Sequence, residues 1–153
     1  MFRRNIISKL EARKQDKKHK PLILRGARQV GKTTVVNEFG SQFDNYLYFN
    51  LERNENAKLF EMENPLDDLV NMLYASVGKV KKEGTTLVFI DEIQNSPKTI
   101  ALLRYFYEQR PDLYVIAAGS LLENLVDVKV SFPVGRVQYL ALRPCSFSEF
   151  LGA

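Results

Sequence analysis

The chain has 153 residues, a common size for one domain and enough to bury a hydrophobic core. Hydrophobic residues make up 45% and charged residues 26%, and no apolar run approaches the length of a membrane span, so we predict no membrane partner. The single cysteine, Cys145, excludes an internal disulfide, and no export signal follows the basic first residues. Both features favour a cytoplasmic location.

The net charge of +4 is concentrated at the N-terminus. Residues 1–20 hold eight basic and two acidic side chains, a balance of +6, whereas the rest of the chain has a balance of −2. We interpret this stretch as a basic helix and linker that packs an apolar face on the domain. Its other face is either a solvated surface or a contact for nucleic acid. The apolar face consists of Phe2, Ile6, Ile7 and Leu10.

Residues 21–153 are predicted to form one domain in which strands alternate with helices. Predicted strands cover residues 22–24, 46–51, 87–90, 113–118 and 136–142, and predicted helices cover 32–39, 56–62, 65–77 and 97–109, with Pro65 at the first helical position. A short helix at most is expected at 121–125, followed by a loop at 126–134. This alternation predicts an α/β fold in three layers, with a five-stranded, mostly parallel sheet and helices on both faces.

The loop after the first predicted strand, GARQVGKT, fits the phosphate-binding pattern G-x-x-x-x-G-K-[ST], which predicts a P-loop NTPase. Gly26 and Gly31 allow backbone conformations that a Cβ would block. Lys32 supplies a charge to the phosphate oxygens, and the Thr33 hydroxyl is placed to bind Mg²⁺. The predicted nucleotide-binding residues are Gly26, Ala27, Arg28, Gln29, Val30, Gly31, Lys32, Thr33 and Thr34.

Two further strands end in polar residues, and in parallel sheets ligands bind at the carboxyl ends of strands. Asp91, which follows four apolar residues, is placed to hold Mg²⁺ together with Thr33. Glu92 can accept a proton from the water that attacks the γ-phosphate, or orient that water. Ser120 either binds the γ-phosphate or the attacking water, or caps the short helix that follows. Less specific polar neighbours at this edge are Asn50 and Gln94.

Several stretches together resemble a family of prokaryotic AAA-type ATPases whose core is usually followed by a C-terminal nuclease-like domain of unknown function. They are RGARQVGKT at 25–33, FIDEIQ at 89–94, GS at 119–120, GR at 135–136 and RPCSFSEF at 143–150. The resemblance implies ATP as the nucleotide, Mg²⁺ as the cofactor and an additional strand between the first strand and the acidic one. It also implies a helical lid after residue 150, so we expect residues 21–153 to be an ATPase core without its lid.

The resemblance also implies roles for individual residues. Arg136 lies where AAA-type proteins present an arginine to the nucleotide of a neighbouring subunit, which implies a homo-oligomer of the full-length protein. An ion pair between Arg136 and a surface carboxylate is the alternative, and Arg28 is a rival for the same role. The other implied roles are phosphate binding by Lys32, Mg²⁺ binding by Thr33 and Asp91, base catalysis by Glu92 and nucleotide sensing by Ser120.

The leading hypothesis is therefore an Mg²⁺-dependent ATPase module that drives a conformational change in a larger protein. One alternative is a nucleotide-binding switch that hydrolyses ATP negligibly in this fragment. Another is a nucleic-acid-associated module that uses the basic N-terminal stretch. A nucleoside kinase fits less well, because we locate no acceptor pocket or mobile lid in the sequence. ATP rather than GTP rests on the resemblance, and no N-K-x-D guanine motif is present.

Overall fold

The computed structural model describes residues 4–26, 31–78, 80–119 and 135–141. These residues form five α-helices and five strands that alternate along most of the chain. The strands are β1 (Leu22–Arg25), β2 (Asn45–Asn50), β3 (Thr86–Asp91), β4 (Leu113–Gly119) and β5 (Gln138–Ala141). The helices are α1 (Arg4–Gln15), α2 (Lys32–Gly40), α3 (Asn54–Glu61), α4 (Leu66–Ser76) and α5 (Pro97–Gln109). None of these described helices is long and apolar enough to cross a membrane.

The five strands form one sheet in the order β2-β3-β4-β1-β5, and every neighbouring pair is parallel. The predicted α/β fold with a five-stranded parallel sheet is therefore confirmed. β4 lies between β1 and β3, where the family resemblance placed an additional strand. Because all strands run in the same direction, the carboxyl ends of β1 and β3 meet at one edge of the sheet.

Helices cover both faces of the sheet, which gives the three layers. α3, α4 and α5 pack on one face, against side chains such as Phe49 and Ile90. α1 and α2 pack on the other face, against side chains such as Leu24 and Phe89. All six residues of β3 are buried, which explains why residues 87–90 form an apolar run rather than an alternating pattern.

The N-terminal helix α1 is part of the hydrophobic core. Ile6 and Leu10 are only 7% and 1% exposed and pack in the layer formed with α2, as their helical spacing predicts. Two of its basic side chains bind backbone carbonyls within the fold. Arg13 donates to a carbonyl of the linker that follows, and the Lys14 ammonium donates to the carbonyl of Gln42 at 2.7 Å.

Several predicted boundaries were wrong by two residues or fewer. The last strand begins at Gln138 rather than at 136, because Gly135 adopts a φ of 78° and forms a turn with Arg136. Pro65 precedes α4 rather than starting it, since its ψ of 149° is extended. The third helix begins at Asn54, two residues earlier than predicted. The predicted elements at 121–125 and 126–134 lie outside the described residues.

Candidate functional site

The start of α2 carries the first part of the site. Gly31 precedes the helix with a φ of 88°, a left-handed conformation that favours glycine, and no side chain caps the helix there. The N–H groups at the start of a helix favour the binding of an anion. Lys32 is buried, and its Nζ donates to the carbonyl oxygen of Gly26 at 2.8 Å. The lysine ammonium therefore lies against the glycine that opens the loop.

Asp91, the last residue of β3, connects this loop to the sheet. Its side chain shares the α2 face of the sheet with Phe89, because alternate residues of a strand point the same way. Asp91 is 2% exposed, and its Oδ2 accepts a hydrogen bond from the Thr33 hydroxyl at 2.7 Å. Its Oδ1 accepts a bond from the backbone N–H of Glu92 at 2.9 Å. Two residues predicted to share Mg²⁺, 58 positions apart, are thus in direct contact.

Glu92 follows at the point where the strand ends. It is the one non-glycine residue with a positive φ in the described part of the chain, with φ 57° and ψ 45°. A single 3₁₀ turn, Ile93–Asn95, begins directly after it. The Gln94 amide donates to the Glu92 carboxylate, whereas the other polar atom of that amide, Oε1, is buried without a hydrogen-bond partner. The strained backbone thus places the Glu92 carboxylate beside a buried amide at the site edge.

Tyr48 is a site residue that the sequence analysis missed. Its hydroxyl donates to Asp91 Oδ2 at 3.0 Å, the same oxygen that accepts from Thr33. Burial raises the pKa of Tyr48 to about 12, and the neighbouring Asp91 carboxylate adds to this effect. The phenol is therefore a hydrogen-bond donor at neutral pH. Asn50, which the sequence analysis did consider, instead binds the backbone N–H of Glu52 through its Oδ1.

A protein-family model described as an AAA domain matches residues 18–151, nearly the whole chain. The chain belongs to the AAA family. The search among curated proteins found no match. Family and fold together support a nucleotide-binding module of the P-loop ATPase class.

The AAA domain is similar in fold to several solved structures. The structure of Drosophila ORC bound to DNA has 16% sequence identity to this chain and a TM-score of 0.62. The match covers 96% of this chain and 44% of that chain. The Aeropyrum pernix ORC1 protein in complex with DNA has 15% sequence identity and a TM-score of 0.58, and the match covers 99% of this chain and 46% of that chain. C. elegans PCH-2 has 13% sequence identity and a TM-score of 0.50, and the match covers 90% of this chain and 41% of that chain. The AAA domain thus spans less than half of each of these chains.

The residues of the AAA domain fit an Mg²⁺ ion that binds together with a nucleotide. Thr33 and Asp91 offer a hydroxyl and a carboxylate oxygen, the hard ligands that Mg²⁺ prefers. In the described segments no group of three or more His, Cys, Asp or Glu side chains is placed to hold a metal ion.

Arg136 lies in the turn before β5 and forms an ion pair within the chain. Its Nε donates to Glu108 of α5 at 2.7 Å, and Arg104 binds the same carboxylate oxygen at 3.2 Å. These two bonds hold the pKa of Glu108 below its usual value. The ion pair that the sequence analysis kept as an alternative is thus present, and contact with a neighbouring subunit stays a prediction.

The remaining predicted site residues are either on the surface or not described. Thr34 is exposed in the first turn of α2. The others lie outside the described residues, so their predicted roles stay predictions: Ala27, Arg28, Gln29, Val30 and Ser120.

Proposed function

We propose that this AAA domain binds ATP together with Mg²⁺, hydrolyses it, and couples the nucleotide state to a conformational change in a larger cytoplasmic protein. The observation that carries the proposal is the 2.7 Å hydrogen bond between Thr33 and Asp91, together with the buried Lys32 that precedes Thr33 in the chain. The buried Lys32 lies at the start of α2, near the positive end of the helix dipole, and a bound phosphate would offset the cost of burying its charge there.

Each residue has a defined task in this proposal. The N–H groups at the start of α2 and the Lys32 ammonium bind the β- and γ-phosphates. Thr33 and Asp91 hold Mg²⁺, which when bound neutralises charge on the phosphate oxygens. Glu92 takes a proton from the attacking water as the water oxygen bonds to the γ-phosphorus. The bond to the bridging oxygen then breaks, which gives ADP and phosphate.

Two substitutions test binding and chemistry separately. Lys32→Ala removes the charge that binds the phosphates, so we expect calorimetric titration with MgATP to show a large loss of affinity. Glu92→Gln keeps the shape of the side chain but removes the base, so MgATP should bind normally while turnover falls by about 100-fold or more. Wild-type binding by Lys32→Ala, or wild-type turnover by Glu92→Gln, would contradict the corresponding assignment.

Matched controls exist elsewhere on the surface. Lys98→Ala removes an exposed lysine on α5, and Glu83→Gln changes an exposed glutamate in the segment before β3, at the opposite edge of the sheet. Both should leave binding and turnover unchanged. If wild-type protein binds MgATP but does not hydrolyse it in either this chain or the full-length protein, the function is that of a nucleotide-binding switch.

A nucleic-acid contact through α1 and its linker is a second candidate function. It is supported by the charge balance of +6 in residues 1–20 and by the exposure of Lys9, Lys17 and Lys18. Arg13 and Lys14 are weaker candidates, since both bind carbonyls of the fold. Two proteins of similar fold, Drosophila ORC and Aeropyrum pernix ORC1, are in DNA complexes, which is a likeness of fold alone.

The full-length protein is proposed to be larger than the AAA domain and to form a homo-oligomer. The family resemblance supports a helical lid and a C-terminal nuclease-like domain after the core, and a role for Arg136 at the nucleotide of a neighbouring subunit. Mass measurement of the full-length protein, with and without MgATP, tests the oligomer directly.

A further inference from the structure

Tyr48 binds the carboxylate that is proposed to hold Mg²⁺. We propose that Tyr48 is a positioning residue that orients Asp91 for the cation, so that the gain in nucleotide affinity from Mg²⁺ depends on the Tyr48 hydroxyl. The inference rests on the proposed function, because it assumes that Asp91 binds Mg²⁺ in the presence of nucleotide.

The register of β2 against β3 places the two side chains together. Asn50 is opposite Asp91, and Tyr48 is opposite Phe89, so Tyr48 is the diagonal neighbour of Asp91 on the same face. The rings of Tyr48 and Phe89 contact each other with centroids 5.3 Å apart. This contact fixes the direction of the phenol, and its hydroxyl reaches Asp91 Oδ2 at 3.0 Å.

Three donors from three different places hold the Asp91 carboxylate. Oδ2 accepts from the Tyr48 and Thr33 hydroxyls, and Oδ1 accepts from the backbone N–H of Glu92. If Thr33 binds Mg²⁺, its hydroxyl oxygen coordinates the ion through a lone pair, while the hydroxyl hydrogen still donates to Asp91. The Tyr48 bond then restrains the carboxylate independently of the metal, as partners of metal ligands commonly do.

A tyrosine suits this position better than a charged donor. A lysine or arginine bonded to Asp91 would orient it equally well but would repel the incoming cation. The neutral phenol supplies a hydrogen bond without a positive charge. Because Asp91 is almost completely buried, loss of this bond also leaves an acceptor less well satisfied, which makes the carboxylate less well ordered.

Tyr46 provides a matched control on the same strand. It lies two residues before Tyr48 and packs on the same face of the sheet, but its hydroxyl donates to the Asn37 side chain of α2. Tyr48→Phe and Tyr46→Phe therefore each remove one hydroxyl from β2 and keep the aromatic ring. Only the first substitution removes a bond to Asp91.

The experiment measures ATP affinity by calorimetry in Mg²⁺ and in EDTA for the wild type and both variants. We expect Tyr48→Phe to bind ATP in EDTA within about twofold of the wild type and to lose about 10-fold or more of the gain from Mg²⁺. Tyr46→Phe should keep the whole gain. Electron paramagnetic resonance of free Mn²⁺ should show the same loss of cation affinity in the protein–ATP complex, independently of turnover.

Other results would overturn the inference. If Tyr48→Phe keeps the full gain from Mg²⁺, or loses affinity equally in Mg²⁺ and EDTA, Tyr48 has only a structural role. A double-mutant cycle adds a test that tolerates some loss of stability: in an Asp91→Asn background, Tyr48→Phe should have no further effect on the gain. An additive effect would contradict the proposed coupling.

The same data separate this inference from the proposed function. If wild-type protein gains ATP affinity from Mg²⁺ and Thr33→Ala removes that gain, the proposed metal site stands even when Tyr48→Phe behaves as the wild type. If the wild type gains nothing from Mg²⁺, the proposed metal site is wrong and the inference about Tyr48 is overturned with it.

Discussion

At the carboxyl end of β3, the backbone of Glu92 adopts a left-handed conformation that costs a non-glycine residue about 1–2 kcal/mol. Glu92 is half-buried, and its carboxylate accepts a hydrogen bond from the Gln94 amide. The strained backbone belongs to the residue whose carboxylate is proposed to act on the attacking water. A conflict between backbone conformation and residue type is common at functional sites, because catalytic geometry takes precedence over local stability there.

This strain leads to a prediction about stability. Glu92→Gly removes the penalty for the left-handed conformation, so we expect the free energy of unfolding to rise by up to about 1 kcal/mol while turnover is lost. Glu92→Gln, which keeps a side chain in the same conformation, should leave stability within about 0.5 kcal/mol of the wild type. Urea denaturation of the three proteins makes the comparison. A destabilised Glu92→Gly variant would show that the contact with Gln94 stabilises the fold more than the strain weakens it.

A candidate site residue was predictable from the sequence when the residues that indicate it lie close together in the chain. Lys32, Thr33 and Asp91 belong to short sequence patterns, so one sequence was enough to predict that Thr33 and Asp91 lie together, and the roles of all three residues stay predictions. Tyr48 was missed because its contact with Asp91 arises from the diagonal register of two neighbouring strands, which no short pattern encodes. Glu92 was predicted from its neighbours, but its left-handed backbone was not.

At the level of elements, α1 extends the AAA domain beyond the region that the family model matches, which begins at residue 18. Leu10 is almost completely buried against the α2 layer, so Leu10→Ala should reduce the free energy of unfolding by about 2–5 kcal/mol. Lys9→Ala, a change at the exposed neighbouring position, should stay within about 0.5 kcal/mol of the wild type. Urea denaturation measures both. Equal stability of Leu10→Ala and the wild type would mean that α1 is only loosely attached.

The packing of α1 also determines how its basic surface should be tested. Deleting residues 1–20 would remove part of the core, so a substitution that keeps the helix is the better experiment. We expect a Lys9→Gln, Lys17→Gln, Lys18→Gln triple variant to bind DNA or RNA with a salt dependence weaker by about 2–3 in log–log slope. Fluorescence anisotropy over a range of salt concentrations measures this slope. An unchanged slope would leave these lysines as a solvated surface.

The type and order of elements were largely predictable, whereas some contacts between them were not. Continuous apolar runs predicted buried parallel strands, and Ser96 followed by Pro97 marked the start of α5, where the Ser96 side chain indeed accepts from the Thr99 N–H. The ion pair between Arg136 and Glu108 depends on α5 lying beside the turn before β5. Periodicity along the chain carries no information about that proximity.

At the scale of the whole molecule, the pairing of Arg136 with Glu108 sharpens the test of a role between subunits. If Arg136 acts at a neighbour's nucleotide, the ATPase activity of the full-length protein per subunit should rise with protein concentration. Arg136→Ala and Glu92→Gln subunits should each be inactive alone and regain activity when mixed, because each supplies what the other lacks.

Glu108→Gln provides a matched control, since it removes the ion pair but leaves the arginine. It should keep the concentration dependence and the rescue on mixing. Activity that is independent of concentration, with no rescue by mixing, would leave Arg136 as part of a surface ion pair.

The position of β4 in the sheet has a consequence for the order in which the protein folds during synthesis. Lys32, Thr33, Asp91 and Glu92 are all synthesised before residues 113–119, yet β4 is the strand that joins β1 to β3. A nascent chain that ends before β4 therefore carries these proposed nucleotide-binding side chains without the strand that sets their spacing. Local helices can form early, but the site must wait for a long-range insertion. Nucleotide in the cell would thus stabilise only chains whose central strand is in place, and would act late on the folding pathway.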